Sequence, residues 1–252
     1  MRAFIKKHLK TLLFFAIIGA IGGYFMGLYV LDGYPAEIRD QVLREVGNAE
    51  VLGAVTAAQS VGYGIVLGAV GIFIAEKLGL WKNERKLKLR PILYTVAVAV
   101  ISGLAIILAD IFYFANINGA IADSYAVKPT LTYILASVLY GGVIEEVMLR
   151  LFWMSLVALV LHKIFDRKTE GISTPVFVAA NVISAFLFAA GHLPATLMMI
   201  GNSPMIIARC FIMNGGAGLM FGLLYRKYGL RYSMLAHAGC HVVMKLIWVL
   251  AI

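Results

Sequence analysis

Seven predominantly apolar runs, at about 11–31, 51–75, 92–115, 131–161, 175–200, 205–225 and 232–252, follow one another with short polar connections. Each approaches or exceeds the ~20 residues that cross a ~30 Å hydrocarbon core at about 1.5 Å per residue. In lipid, such segments must satisfy their own backbone hydrogen bonds, which selects helices. The expected fold is therefore all-α: a polytopic transmembrane helical bundle of about seven spans, or eight if the fourth is broken, forming a single integral-membrane domain over 1–252. Composition agrees, with 62% hydrophobic and 14% charged residues, against about 25% charged in soluble domains. The opening "MRAFIKKHLKTLLFFAIIGAIGGYF" resembles a signal peptide, but its apolar run continues to about Leu31 and no small-residue cleavage site follows. A retained first helix is expected.

The net charge is +9. Its cations sit between the apolar runs, so orientation in a bilayer explains them and nucleic acid is not an expected partner. With the N-terminus cytoplasmic, the inner segments hold Arg2, Lys6, Lys7 and Lys10, then Lys77, Lys82, Arg85, Lys86, Lys88 and Arg90. Lys163, Arg167 and Lys168, then Arg226, Lys227 and Arg231, complete that side, while Arg39, Arg44 and Lys128 fall outside. The bias predicts N-in, C-out, here in the plasma membrane of a prokaryote. The outer segment 32–50 is acidic and amphipathic and predicts a short surface helix. Glycines at four-residue spacing (Gly19, Gly23 and Gly27; Gly64 and Gly68; Gly218 and Gly222) predict close helix packing within the bundle. Cys210 and Cys240 lie in apolar runs and read as small buried side chains.

Against this background a few polar residues stand out. The fourth run contains "YGGVIEEVMLRLFW", with Glu145, Glu146 and Arg150. The fifth carries Asn181, Ser184 and His192, the sixth Arg209 and Asn214, and the seventh His237, His241 and Lys245. Charged groups in membrane segments face the bundle interior and pair with one another, so four helices with such groups predict a polar chamber. On an α-helix Glu146 and Arg150 share a face at i,i+4 and predict an ion pair. Glu145 is turned about 100° away and is left for the chamber, where a carboxylate suits a general base. His237, His241 and Lys245 form one stripe at i,i+4,i+8. Two histidines at i,i+4 are able to ligate zinc, but "HAGCH" lacks the glutamate of the HExxH pattern. His8 and His162 read as interfacial, and Asp110 as reaching outer water or a polar neighbour.

Depth offers a check. At about 1.5 Å per residue, Glu145 and His192 lie about 24–25 Å into their runs and His237 about 8 Å into its own. Either the long fourth and fifth runs project into the cytoplasm, or the fourth kinks near Gly141–Gly142.

"EEVMLR", "FAAGH" and the block "GGAGLMFGLLYRKYGLRYSMLAHAGCH" together resemble, in order, the three motifs of the family of CAAX proteases and bacteriocin-processing enzymes, also called the Abi or type II CAAX prenyl endopeptidase family. The resemblance covers about 131–245, making 131–252 the catalytic core and 11–115 three accessory spans. It implies an intramembrane endopeptidase in which Glu145 activates water with His192, and His237 with the residue four positions on binds the oxyanion. Glu146 and Arg150 fall at supporting positions, and Asn214 and Lys245 are further supporting candidates. The family's Asn is His241 here. A neutral histidine also donates a hydrogen bond, so a metal-free glutamate mechanism is expected. The alternative is a zinc-dependent version with His192, His237, His241 and Glu145 as ligands. The implied substrates are prenylated C-termini, peptide precursors or other membrane-associated segments, reached from a chamber facing the cytoplasm. Two rival classes are a non-proteolytic immunity or binding protein of the same fold and an ion-coupled transporter. The chain shows no two halves with paired broken helices of the kind that mark a carrier.

Overall fold

A computed structural model describes residues 2–82, 86–167 and 171–251. Arg85 and Lys168, counted above among the cytoplasmic cations, lie outside the described residues. Among the described residues, six helices are long and apolar enough to cross a membrane: α1 (Arg2–Gly33), α3 (Ala49–Lys77), α4 (Leu89–Asn116, its last turn 3-10), α7 (Thr174–Ile200), α8 (Pro204–Tyr228) and α9 (Leu230–Ala251). The fourth apolar run forms another uninterrupted helix, α6, over 131–165. It carries Glu145, Glu146 and Arg150 and stays in one piece through Gly141 and Gly142. Two short helices complete the chain, α2 (Ala36–Val46) on the predicted outer surface segment and α5 (Gly119–Ala126). The fold is an all-α polytopic bundle.

Cap residues delimit several of these helices. Asn48 caps α3 by accepting from the Val51 amide at 2.8 Å, and Ser173, followed by Pro175 in the first turn, caps α7. Such caps satisfy amides that the first turn leaves unpaired. Gly229, at φ 100°, makes the tight turn that returns α8 into α9, a conformation open to glycine at little cost.

Small residues set the spacing of the bundle. Gly19, Gly23 and Gly27 of α1 face Ser60, Thr56 and Gly53 of α3. A methyl on Gly19 would stand 2.8 Å from the Ser60 carbonyl oxygen. Gly218 and Gly222 admit Ala185 and Asn181 of α7 in the same way. The glycine spacing is thus internal packing. Gly19→Val is expected to cost about 1–3 kcal/mol through overpacking, read as a lower unfolding midpoint of the purified protein in detergent. Gly62→Ala supplies the control, because nothing lies within 4 Å of that position; equal midpoints for the two variants would refute the packing role.

Several sequence expectations are corrected by tertiary contacts. His8 is buried rather than solvated: it is 2% exposed, with the Phe4 ring tilted and the Trp81 ring edge-on against it, and its Nε2 3.2 Å from Glu76. His162 is half-buried, with its Nδ1 enclosed. Arg209 does not join the other polar groups. It forms a two-point pair with Asp110 (2.6 and 2.5 Å), and Tyr125 donates to the same carboxylate at 2.8 Å. Asp110 therefore meets polar neighbours, in a staple between α4, α5 and α8.

For α6 and α9 the difference in run length is accommodated without a break in α6. Leu230, at the start of α9, packs in one cluster with Ala158 of α6 and Leu80. Helix α6 therefore continues past the start of α9, to Phe165, and its excess length lies on that side.

Candidate active site

Helices α6 and α9 run antiparallel in contact, with Glu146 beside His237, Gly142 against Ala238 and Gly141 against His241. Along this seam α6 is not an ordinary α-helix. Residues Ala136–Glu145 and Val147–Met154 are π-helical. A π-helix bonds i→i+5 and occurs at functional sites. With more residues in each turn, consecutive side chains are separated by less than the 100° used above for Glu145 and Glu146. Bonding from α7 accompanies this widening: Ser184 donates to the Leu149 carbonyl at 2.8 Å.

The two glutamates nevertheless have different surroundings. Glu146 is 0% exposed. The ion pair expected with Arg150 is present at 3.3 Å, Ser233 donates to its Oε2, and the Nδ1 of His237 lies 3.0 Å from its Oε1. Arg150 also donates to the Gly218 carbonyl at 3.0 Å and is enclosed by the rings of Phe188 and Phe221. One arginine thus ties α6 to α7 and α8, and its glutamate ties α6 to α9.

Glu145 has no such enclosure. Its side chain is 15% exposed, with Oε1 3.9 Å from the Nε2 of His192 and Oε2 3.9 Å from the Nε2 of His237. Both distances exceed a direct hydrogen bond and suit a bridging water. Each imidazole is held by its other nitrogen. His192 Nδ1 is 2.9 Å from the Phe188 carbonyl, which only accepts, so that nitrogen carries hydrogen. His237 Nδ1 faces a carboxylate and carries hydrogen likewise. In its neutral form each ring then presents an Nε2 lone pair towards Glu145. A water donating to Glu145 and to an Nε2 would have its own lone pairs free. For His237 to donate from Nε2, both ring nitrogens must be protonated, with Glu146 opposite the resulting charge.

The remaining candidates fall at different distances from this centre. His241 stacks on His237 at 5.0 Å, and its Nε2 borders Gly141; its Nδ1 is buried without a hydrogen bond. A methyl on Gly141 would lie 2.9 Å from that Nε2 and 3.9 Å from Glu145 Oε2. Gly141 therefore keeps open the space between the two, a role that sequence reading missed because it weighed that glycine only as a kink. Ser233, which also escaped notice, lies four residues before His237, and that spacing was the signal available for it. Asn214 turns back to the Cys210 carbonyl of its own helix at 3.0 Å, and Asn181 bonds the Leu219 carbonyl at 3.1 Å. Lys245 is buried further along α9 over the Tyr133 ring at 4.0 Å.

The zinc alternative needs three histidines and Glu145 to converge. Among the described residues no group of three His, Cys, Asp or Glu side chains is arranged to hold a metal ion. His241 is directed at Gly141 and stacked on His237.

Comparison with known proteins adds one finding. Residues 127–243, which contain every residue of the Glu145 centre, match the family model described as Type II CAAX prenyl endopeptidase Rce1-like. Among curated proteins and among solved structures, nothing matches.

Proposed function

From the premise that residues 127–243 belong to the Rce1-like family of type II CAAX prenyl endopeptidases, whose members are membrane proteases, we propose that this chain hydrolyses a peptide bond with water activated by Glu145. The observation that carries the reading is the paired 3.9 Å gap between the two Glu145 oxygens and the Nε2 atoms of His192 and His237. A water in that space donates one hydrogen to Glu145 and the other to Nε2 of His192. Its lone pair attacks the substrate carbonyl as Glu145 takes the proton. The tetrahedral oxyanion is met by Nε2–H of His237 in its doubly protonated form, whose charge Glu146 balances at 3.0 Å. His241, stacked behind it, is the second donor. Preorganised donors of this kind are commonly the largest catalytic contribution. Proton return from Glu145 to the leaving amine completes the cycle.

The substrate class follows from the family: a peptide or protein presented at the membrane with a prenylated C-terminus, the peptide-precursor class being the second possibility. The proposed setting remains a prokaryotic plasma membrane with the site open to the cytoplasm. Residues 131–252 form the catalytic core, and 11–115 supply accessory spans.

The test is cleavage of a farnesylated peptide ending in a C-a-a-X sequence by the protein reconstituted in liposomes. His237→Ala is expected to lower kcat by about 10²-fold or more, since it removes an oxyanion donor. Unchanged cleavage would overturn the assignment. On the metal-free reading, chelators are expected to leave turnover unchanged. Chelator inhibition reversed by zinc would put the metal version in its place.

A further inference from the structure

Outside the Glu145 centre, α4, α7 and α8 leave a groove of about 740 Å³ between them, within the size range of small-ligand sites. Its walls are apolar: Val98 of α4, Phe177 and Val178 of α7, and Met220, Leu223 and Leu224 of α8. Lys82, Arg226 and Lys227 line the end nearest the α8–α9 turn. A second cavity of about 550 Å³ shares Lys82, Lys227 and Tyr228 with the first and adds Lys88, Arg90 and Tyr232. Among the described residues, five cations line the pair of cavities and no carboxylate does.

These cations are held in place. Lys82 Nζ donates to the Arg226 and Lys227 carbonyls at 2.7 and 2.6 Å, which fixes its charge at the end of α8. The Arg226 guanidinium lies 4.3 Å over the Phe177 ring and gives one N–H to the Thr174 hydroxyl at 3.4 Å. Lys227 Nζ lies 4.9 Å over the Tyr94 ring. A ring face orients a cation but leaves most of its N–H donors unmade. Tyr232 is buried, and its hydroxyl accepts from the Lys88 amide at 2.9 Å; its own hydrogen finds no acceptor among the described residues. What these donors lack is a compact anion with several oxygens, and a phosphate meets both an arginine fork and a lysine. The groove adds a second requirement. Val178 and Leu223 are 50% and 49% exposed and carry its apolar wall onto the outer surface of the bundle. From Arg90 to Val98 the groove follows α4 for about 12 Å, most of one half of a ~30 Å hydrocarbon core. A free anion has no use for such a wall, whereas an acyl chain lies along it.

We propose that this groove binds one anionic phospholipid, its phosphate held by Arg226 and Lys227 and an acyl chain laid along Val98, Phe177 and Leu223. Basic pockets between membrane helices recognise such headgroups. A lipid seated there joins α4, α7 and α8, and α8 also carries Phe221, stacked on His237 at 4.6 Å. The inference does not depend on peptide hydrolysis, and its test reads binding alone.

Native mass spectrometry of the purified protein in detergent, offered dioleoylphosphatidylglycerol and dioleoylphosphatidylcholine in equal amounts, is the direct measurement. The wild type is expected to retain phosphatidylglycerol with a preference of about 10- to 30-fold, the scale of two basic side chains at a membrane surface. Arg226→Gln/Lys227→Gln should lose most of that preference. Lys6→Gln/Lys10→Gln, which removes two exposed cations of α1, should keep it. Leu223→Trp fills the groove without changing its charge and should lower phosphatidylglycerol occupancy. Inorganic phosphate in molar excess should leave that occupancy unchanged. Equal retention of the two lipids by the wild type overturns the proposal, as does an equal loss of preference in the two double variants. Unchanged occupancy in Leu223→Trp would remove the acyl path, and displacement by inorganic phosphate would show a free-anion site; either result also overturns it. Circular dichroism and elution volume show whether each variant is folded. If Arg226→Gln/Lys227→Gln is not, the wild-type ratio, Leu223→Trp and the phosphate competition decide.

Discussion

Glu145→Gln is expected to reduce peptide cleavage by about 10²- to 10⁴-fold, the range of a lost general base, while leaving the unfolding midpoint close to that of the wild type. The two halves of this expectation have separate grounds. Activity falls because an amide cannot accept the proton that the water must lose. Stability holds because Glu145 makes only 3.9 Å contacts to His192 and His237 and is partly exposed. Glu146→Gln should behave differently despite the shared chemistry of the two positions. That side chain is sealed between Arg150, Ser233 and the Nδ1 of His237, so its loss affects both folded yield and turnover. Comparing kcat and midpoint for the two variants separates the roles. If Glu145→Gln retained wild-type kcat, the base would have to be sought elsewhere; if it unfolded the protein, the contacts at 3.9 Å would be structural.

The sequence made part of this arrangement legible. The apolar runs located the helices, because a bilayer accepts few other solutions. Three charges within six residues marked α6 as the helix with a purpose, and the i,i+4 rule paired Glu146 with Arg150. What escaped was whatever depends on partners distant in sequence. Nothing local showed that Glu146 also holds His237, 91 residues away, and this contact turns a charge-neutralising pair into a support for an imidazole. Arg209 looked like a chamber residue by composition, yet Asp110 claims it from 99 residues away. The π-helical stretch left no sequence signature either. Ser184 bonds one of its carbonyls from another helix, and an α-helical wheel separated the surroundings of Glu145 and Glu146 from an inexact angle.

Arg150→Met is expected to destabilise the protein by about 3–5 kcal/mol, the cost of breaking a buried pair from one side. Methionine replaces the apolar stem but not the guanidinium. Glu146 would then be left fully buried opposite only Ser233 and His237, and the Gly218 carbonyl would lose its 3.0 Å donor. The faces of Phe188 and Phe221 would lose the cation between them. Because Arg150 joins α6 to α8 while its glutamate joins α6 to α9, the loss should spread across the helices that form the Glu145 centre. The double variant Arg150→Met/Glu146→Gln removes the unpaired charge and should recover a substantial part of the stability, because burying a neutral amide costs less than burying a lone carboxylate. It should not recover turnover, since the carboxylate facing His237 Nδ1 is also gone. Measured as unfolding midpoints in detergent beside kcat in liposomes, rescue of the first without the second is the expected pattern. A single variant as stable as the wild type would show that Glu146 does not depend on Arg150, and would leave His237 and Ser233 as its sufficient partners.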